Sequence, residues 1–311
     1  MHRKPSIEDR VSLYAGVTQK VVSELEVGRL PWVQPWDAEG ATCDLPHNAG
    51  TLRHYSGINV LILWHACTEA GWQSQRWLTY RQTLALGGNV RKGERGTTVC
   101  YADKFVPRDE AARAVNDGDE ARSFESDGAT LPQSVARRFL KRFTVFNIDQ
   151  CENLPEHVTA LPERPSGHDI YVEAEEIIVG SRADFRVGGD KAFYAPGPDF
   201  VQVPEQSAFH HPLDWYRTVF HELGHWTGHG SRLNREQRGT FGGPDYVREE
   251  LVAEMASAFV CAALGIQPTV RHSDYIGAWL EVIKADERAI FRAASQASKA
   301  ADMLLRRGGV S

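Results

Sequence analysis

The chain has 311 residues, 42% of them hydrophobic and 24% charged, with a formal net charge of −6. That is enough for two domains of ordinary size, and it excludes a disordered, collagen-like or strongly cationic chain. No apolar run reaches membrane-spanning length and the first residues lack an apolar leader core, so a cytoplasmic protein with no membrane partner is expected.

The charge is unevenly spread. Residues 1–106 carry about +2, 107–136 about −4, 137–150 about +3 and 151–311 about −7. Such asymmetry suggests different partners for the two halves. The five cysteines (Cys43, Cys67, Cys100, Cys151 and Cys261) form no C-x-x-C pair, so buried thiols of a reducing compartment are expected and no structural zinc site.

Taken in order, residues 6–28 read as an amphipathic helix (Val11, Leu13, Val17, Val21, Val22, Leu25) ended by Gly28. Pro31-Trp32-Val33-Gln34-Pro35-Trp36 is an extended, aromatic turn. Helices are predicted over 58–70 and 77–86, the second closed by Gly87-Gly88. Strands are predicted at 89–91 and 97–106, with 143–149 as a matching partner. Between those strands, 107–136 is rich in Asp, Glu, Ala, Ser and Gly and is read as a mobile acidic insertion.

This half interleaves aromatic and basic residues: Trp32, Trp36, Arg53, Tyr55, Trp77, Tyr80, Arg81, Arg91, Lys92 and Arg95. Single-strand binders combine stacking surfaces with cationic contacts to phosphate, and the glycines of Val90-Arg91-Lys92-Gly93-Glu94-Arg95-Gly96 would let backbone N–H groups approach one. The competing reading makes the tryptophans core and the basic tip merely solvated.

Residues 154–168, with three prolines, read as a linker. Beyond it a helix is predicted over 170–180, then short strands at 184–187, 192–195 and 200–203. His221-Glu222-Leu223-Gly224-His225 follows within a helical pattern. Positions four apart share a helix face, so both imidazoles can reach one metal ion, and Glu222 between them can serve as general base toward a metal-activated water. Gly224 would let another element approach closely.

A catalytic zinc needs a third protein ligand. A second helix, 246–264, offers Glu249, Glu250 and Glu254. Glu250 and Glu254 share a face, so Glu250 can bind the ion while Glu254 orients an imidazole, although spacing leaves open which of the two is the ligand. This pairing resembles that of gluzincin peptidases. Glu249 points about a hundred degrees away and is expected to be solvated. Tyr246 and Tyr275 are candidate oxyanion donors, with packed aromatics as the alternative. A last helical pair is predicted over 272–294 and 296–306.

Several blocks carry a family resemblance. They are Pro31-Trp32 with Pro35-Trp36, Tyr55-Ser56-Gly57-Ile58-Asn59, Trp77-Leu78-Thr79-Tyr80-Arg81-Gln82, Val90-Arg91-Lys92-Gly93-Glu94, and Val145-Phe146-Asn147-Ile148-Asp149-Gln150 in the first half. In the second they are His221 to His229, Arg232-Leu233-Asn234-Arg235 and Glu249-Glu250-Leu251-Val252-Ala253-Glu254. The chain resembles ArdC-type antirestriction proteins of conjugative plasmids, related to the amino-terminal part of TraC-type plasmid primases.

The resemblance implies an α+β protein of two domains: a single-stranded-DNA-binding domain over 1–153 and a zincin-like metallopeptidase domain over 169–311. It also implies protection of incoming plasmid DNA from host restriction. The expected cofactor is one Zn2+, with Mn2+ as another possible ion. The expected partners are single-stranded DNA and an unidentified protein substrate that could itself be DNA-bound. The rival reading is a DNA-coating protein whose metal site is structural or vestigial.

Overall fold

The computed structural model describes residues 7–33, 43–105, 137–160, 167–237, 239–240, 242–267 and 275–310. The acidic stretch 107–136 and Trp36 lie outside them.

The first half is built on helix α1 (Ile7–Glu26), helix α2 (Ile58–Ala70) and a four-stranded sheet. In that sheet β1 (His47–Asn48) runs parallel to β2 (Arg76–Leu78), β2 antiparallel to β5 (Arg137–Asn147), and β5 antiparallel to β4 (Thr97–Phe105). A two-stranded ladder joins β3 (Asn89–Val90) to β6 (Cys151–Glu152). Where one helix is expected over 77–86, the chain instead pairs Trp77 and Leu78 into the sheet and starts the short α3 (Tyr80–Ala85) afterwards. The reason is local: Thr79 and Gln82 form a reciprocal capping box that starts α3 at Tyr80.

Short helix α4 (Glu156–Thr159) lies within the expected linker, and α5 (Gly167–Ser181) opens the second half. Strand β9 (Phe200–Val203) lies between a parallel β7 (Asp184–Val187) and an antiparallel β8 (Phe193–Ala195). Then come α6 (Pro212–Trp226), α7 (Pro244–Ala263), α8 (Ile276–Ala285) and α9 (Ala289–Gly308). The last helical break falls at Asp286, not near residue 295 as predicted. Asp286 adopts extended φ and ψ and its carboxylate accepts from Arg288 N at 2.9 Å, a local bond that competes with helix continuation.

The two halves share one hydrophobic core. Val22, Leu25, Trp32 and Trp64 from the first pack with Phe259, Trp279 and Ile290 from the second. Trp32 meets Trp279 edge to face at 5.4 Å and Trp64 meets Phe259 at 5.6 Å. Rings of this size each bury area worth roughly 4–5 kcal/mol before entropy is counted. Polar ties reinforce the contact, from Thr18 Oγ1 to Glu287 O (2.7 Å) and from Gly57 N to Ser298 Oγ (2.7 Å). A smaller cluster of Tyr55, Leu63, Cys67, Trp77, Val99 and Val145 fills the space between α2 and the sheet. No helix among the described residues is long and apolar enough to cross a membrane.

A candidate metal centre

Helix α6 starts at Pro212, where a missing N–H costs nothing, and buries Trp215, Val219, Phe220 and Leu223 along one side. The histidines lie on the side toward α7. Gly224 makes the approach close: a Cβ there would lie 3.3 Å from both the Cα and the carbonyl oxygen of Ala253. The two helices run in opposite directions, so His221 meets Glu254 while His225 meets Glu249.

Between the helices, His221, His225 and Glu250 each offer a donor atom, all within 4.8 Å of one another. The two Nε2 atoms are 3.2 Å apart. Glu250 straddles them, Oε2 lying 3.5 Å from His221 and Oε1 3.5 Å from His225. Two ligands bound at about 2.05 Å and at the tetrahedral angle stand roughly 3.3 Å apart, so these separations fit a single ion of zinc size. The donor set of two imidazoles and a carboxylate suits zinc or another divalent first-row metal.

The outer contacts are asymmetric. Glu254 Oε1 lies 3.8 Å from His221 Nδ1. Glu249, expected to be solvated, is buried instead, with Oε1 3.3 Å from His225 Nδ1. The hundred-degree offset from Glu250 brings it to the next imidazole along the antiparallel helix. Arg235 clamps the same carboxylate, Nε to Oε2 at 2.9 Å and Nη2 to Oε1 at 2.7 Å. It also donates to Gly224 O (2.7 Å) and Thr227 Oγ1 (2.8 Å), and Gln237 donates to His225 O (2.6 Å) and Glu249 Oε1 (3.2 Å). Sequence reasoning missed Arg235 as a support, although it lies in a quoted family block. His229 faces away, bonded to Ser231 at 2.8 Å and 3.7 Å from Asp199.

These contacts make a strongly polarised centre. Burial works against a charge on His225, but Glu249 and Glu250 outweigh it and push the imidazole up to about 10. Burial likewise works against the Glu250 carboxylate, and the two imidazoles hold it far below the ordinary range. Glu249 is held down in the same way by Arg235 and His225. Carboxylates kept ionised in a buried site are poised for a cation.

The centre opens into a cleft of about 390 Å³, lined by Glu222, Gln237, Tyr246 and Tyr275 and by Phe193 and Tyr194 of β8. Among the described residues no hydrogen bond or ion pair engages the Glu222 carboxylate, which is buried but lines the cleft. The hydroxyls of Tyr246 and Tyr275 are 3.2 Å apart. Burial raises the Tyr246 phenol first, and Tyr275 and Glu250 add to the rise, so it stays protonated as a donor.

The nucleic-acid candidates divide. Trp32 and Trp77 are completely buried and Tyr55 is 6% exposed, so none offers a stacking face. Their apolar area is worth more in the core than at the surface. Arg53, Tyr80, Arg81, Arg91, Lys92 and Arg95 are exposed. Part of the Arg91 guanidinium is taken up by Glu94 and by the backbone carbonyl of Asp149.

Comparisons with known proteins cover the same two regions. Residues 11–146 match the N-terminal domain of the anti-restriction factor ArdC, and residues 172–296 match a zincin-like metallopeptidase domain. The metal-free crystal structure of the antirestriction ArdC protein from plasmid R388 is 35% identical, with a TM-score of 0.76 over 96% of this chain and 98% of that one. The Mn(II)-bound structure of that protein is 34% identical, with a TM-score of 0.73 over 95% and 98%. The uncharacterized protein y4eC of Sinorhizobium fredii is 35% identical over 94% of this chain and 91% of its own length. Two Escherichia coli DNA primases TraC are each 34% identical, but the matched part spans only 20% and 26% of their lengths.

Proposed function

This chain belongs to the ArdC-type antirestriction family, and we propose that it binds single-stranded DNA through its first half and carries a metal-dependent peptidase site in its second. In this reading it protects incoming plasmid DNA from host restriction. The R388 relative binds Mn(II); here the ion is Zn2+ or Mn2+. His221, His225 and Glu250 hold it, and Glu254 and Glu249 orient the two imidazoles from behind. When bound, such an ion supplies Lewis acidity toward a carbonyl oxygen and makes its water more acidic.

The protein's own residues do the rest. Glu222 receives a proton from water in the cleft and passes it to the leaving amine. Tyr246, with Tyr275 behind it, donates to the oxygen on which negative charge develops. Strand β8 is an edge strand whose residues wall the cleft, so an extended peptide fits beside it as an added strand. Holding DNA on the other half raises the local concentration of DNA-bound protein substrates at this cleft. Arg53, Tyr80, Arg81, Lys92 and Arg95 are exposed contacts available to the strand.

The observation that carries the peptidase reading is the convergence of His221, His225 and Glu250 beside Glu222 in one cleft. The test is Glu222→Gln. The variant should bind one equivalent of metal like the parent, yet lose cleavage of a denatured-protein or peptide-library substrate by about 10²–10⁴-fold. Cleavage at the parent's rate removes the catalytic reading. DNA protection that persists in an inactive variant favours a coating protein with a structural metal.

A further inference from the structure

One face of the four-stranded sheet leaves the core as it runs outward. Cross-strand partners share a face, and here Thr97 sits opposite Val145, Val99 opposite Phe143, and Tyr101 opposite Lys141. Val99 and Val145 are buried in the small core cluster. Farther along the same face, Phe143 is 40% exposed and Tyr101 44%. Their rings meet edge to face, with centroids 5.4 Å apart. Lys141 Nζ lies 5.7 Å from the Phe143 centroid. Two large rings and an ammonium thus share one exposed corner of a hydrogen-bonded strand pair.

We infer that this corner is a base-stacking platform and that its ligand is single-stranded DNA. The inference rests on the DNA-binding reading above and gives it a location that the buried Trp32, Trp77 and Tyr55 do not supply. Unpaired bases present π-faces that stack on Tyr and Phe without regard to sequence, while duplex bases have those faces already occupied. Charge agrees: residues 137–150 carry about +3 in a chain of net −6. A protein partner would call for an apolar patch depleted in charge. On this face the next residue along β5 from Phe143 is instead the exposed Lys141. The contact of Tyr80 with Phe146 belongs to the opposite face, because Phe146 pairs with Leu78.

The test uses the full chain and a fluorescein-labelled oligothymidylate of about 20 nucleotides, followed by anisotropy over a salt series. The double variant Tyr101→Ala/Phe143→Ala should bind about tenfold or more weakly, with the slope of log affinity on log salt unchanged. Lys141→Gln should lower that slope by about 0.7. Tyr171→Ala, which removes an exposed ring from α5, should bind like the parent. In Phe143→Trp, emission should be quenched beyond the parent's response by the oligonucleotide and not by a blunt duplex. This last readout decides the matter if the double variant fails to fold. Parent-like binding by a folded double variant, or no added quenching in F143W, overturns the platform and leaves DNA binding intact. Failure of the parent to bind the oligonucleotide at low salt overturns both.

Discussion

The guanidinium of Arg235 grips the carboxylate of Glu249 through two parallel hydrogen bonds, and that carboxylate in turn faces the imidazole of His225. The Arg235 side chain is itself buried, and its remaining donors close off the end of the helix that carries His225. A loop residue ten positions beyond the second histidine therefore fixes the direction in which that histidine's ring points.

Glu249→Gln or Arg235→Ala should weaken metal binding about 10–100-fold, the usual cost of losing a partner behind a ligand. Titration against a competing chelator measures it. Glu249→Gln should be the milder change, because the amide oxygen can still accept from Arg235, whereas Arg235→Ala removes the guanidinium that neutralises a buried carboxylate and its bonds to Gly224 O and Thr227 Oγ1. Unchanged affinity in both would mean that His225 is held by packing alone.

Tyr246→Phe removes one hydroxyl from the cleft. If that hydroxyl donates to the developing oxyanion, kcat should fall on the order of 10²-fold with metal content and KM little changed. A change below twofold would identify Tyr246 as a packed aromatic.

Gly180 lies where α5 meets the end of α9, and a Cβ there would stand 2.1 Å from the carbonyl oxygen of Arg307. Replacing glycine by alanine inside a helix ordinarily gains about 1 kcal/mol. Here the obstacle is backbone, which cannot rotate aside, so overpacking of about 1–3 kcal/mol or more should win. Gly180→Ala should lower Tm by several degrees. Gly16→Ala, whose new Cβ meets nothing within 4 Å, should leave it equal or slightly higher. Equal melting of parent and Gly180→Ala would show that the two helices separate at little cost.

Asp199 supplies a pH dependence. Its hydrogen bonds from Arg232, chiefly, and from Tyr194 hold the carboxyl below its ordinary value against the opposing effect of burial. A carboxyl whose folded value is depressed stabilises the protein fully above its unfolded value, about 3.9. That contribution is lost as pH falls through the depressed folded value. Asp199→Asn should therefore cost stability at neutral pH and narrow its gap to the parent below about pH 4. Denaturant midpoints at the two pH values check this, and a gap that stays constant would refute the linkage.

Much of the centre is legible in the sequence because it is local. His221, Glu222 and His225 take their relation from one helical turn, and Glu250 and Glu254 from another. What local reasoning misses is what depends on a neighbour. Glu249 looks solvated on an isolated helix and becomes buried only because α7 packs antiparallel on α6 through Gly224. Trp32 and Trp77 have the composition of a stacking surface, but Trp32 is covered by Trp279 from almost the far end of the chain and Trp77 by α2. Tyr101 and Phe143 look like ordinary alternating strand residues, and only the edge of the core cluster shows that their rings project beyond it.

By itself, then, the order of residues determined most of the long helices, where the two imidazoles and Glu222 stand on theirs, and the ArdC-type family. Tertiary structure alone decided which carboxylate backs which imidazole and which aromatic rings meet solvent. The physical reason is that spacing along one helix or strand sets angles about its own axis. Contacts between distant segments depend on the separation and direction of the elements that carry them, and those follow from how the whole core packs.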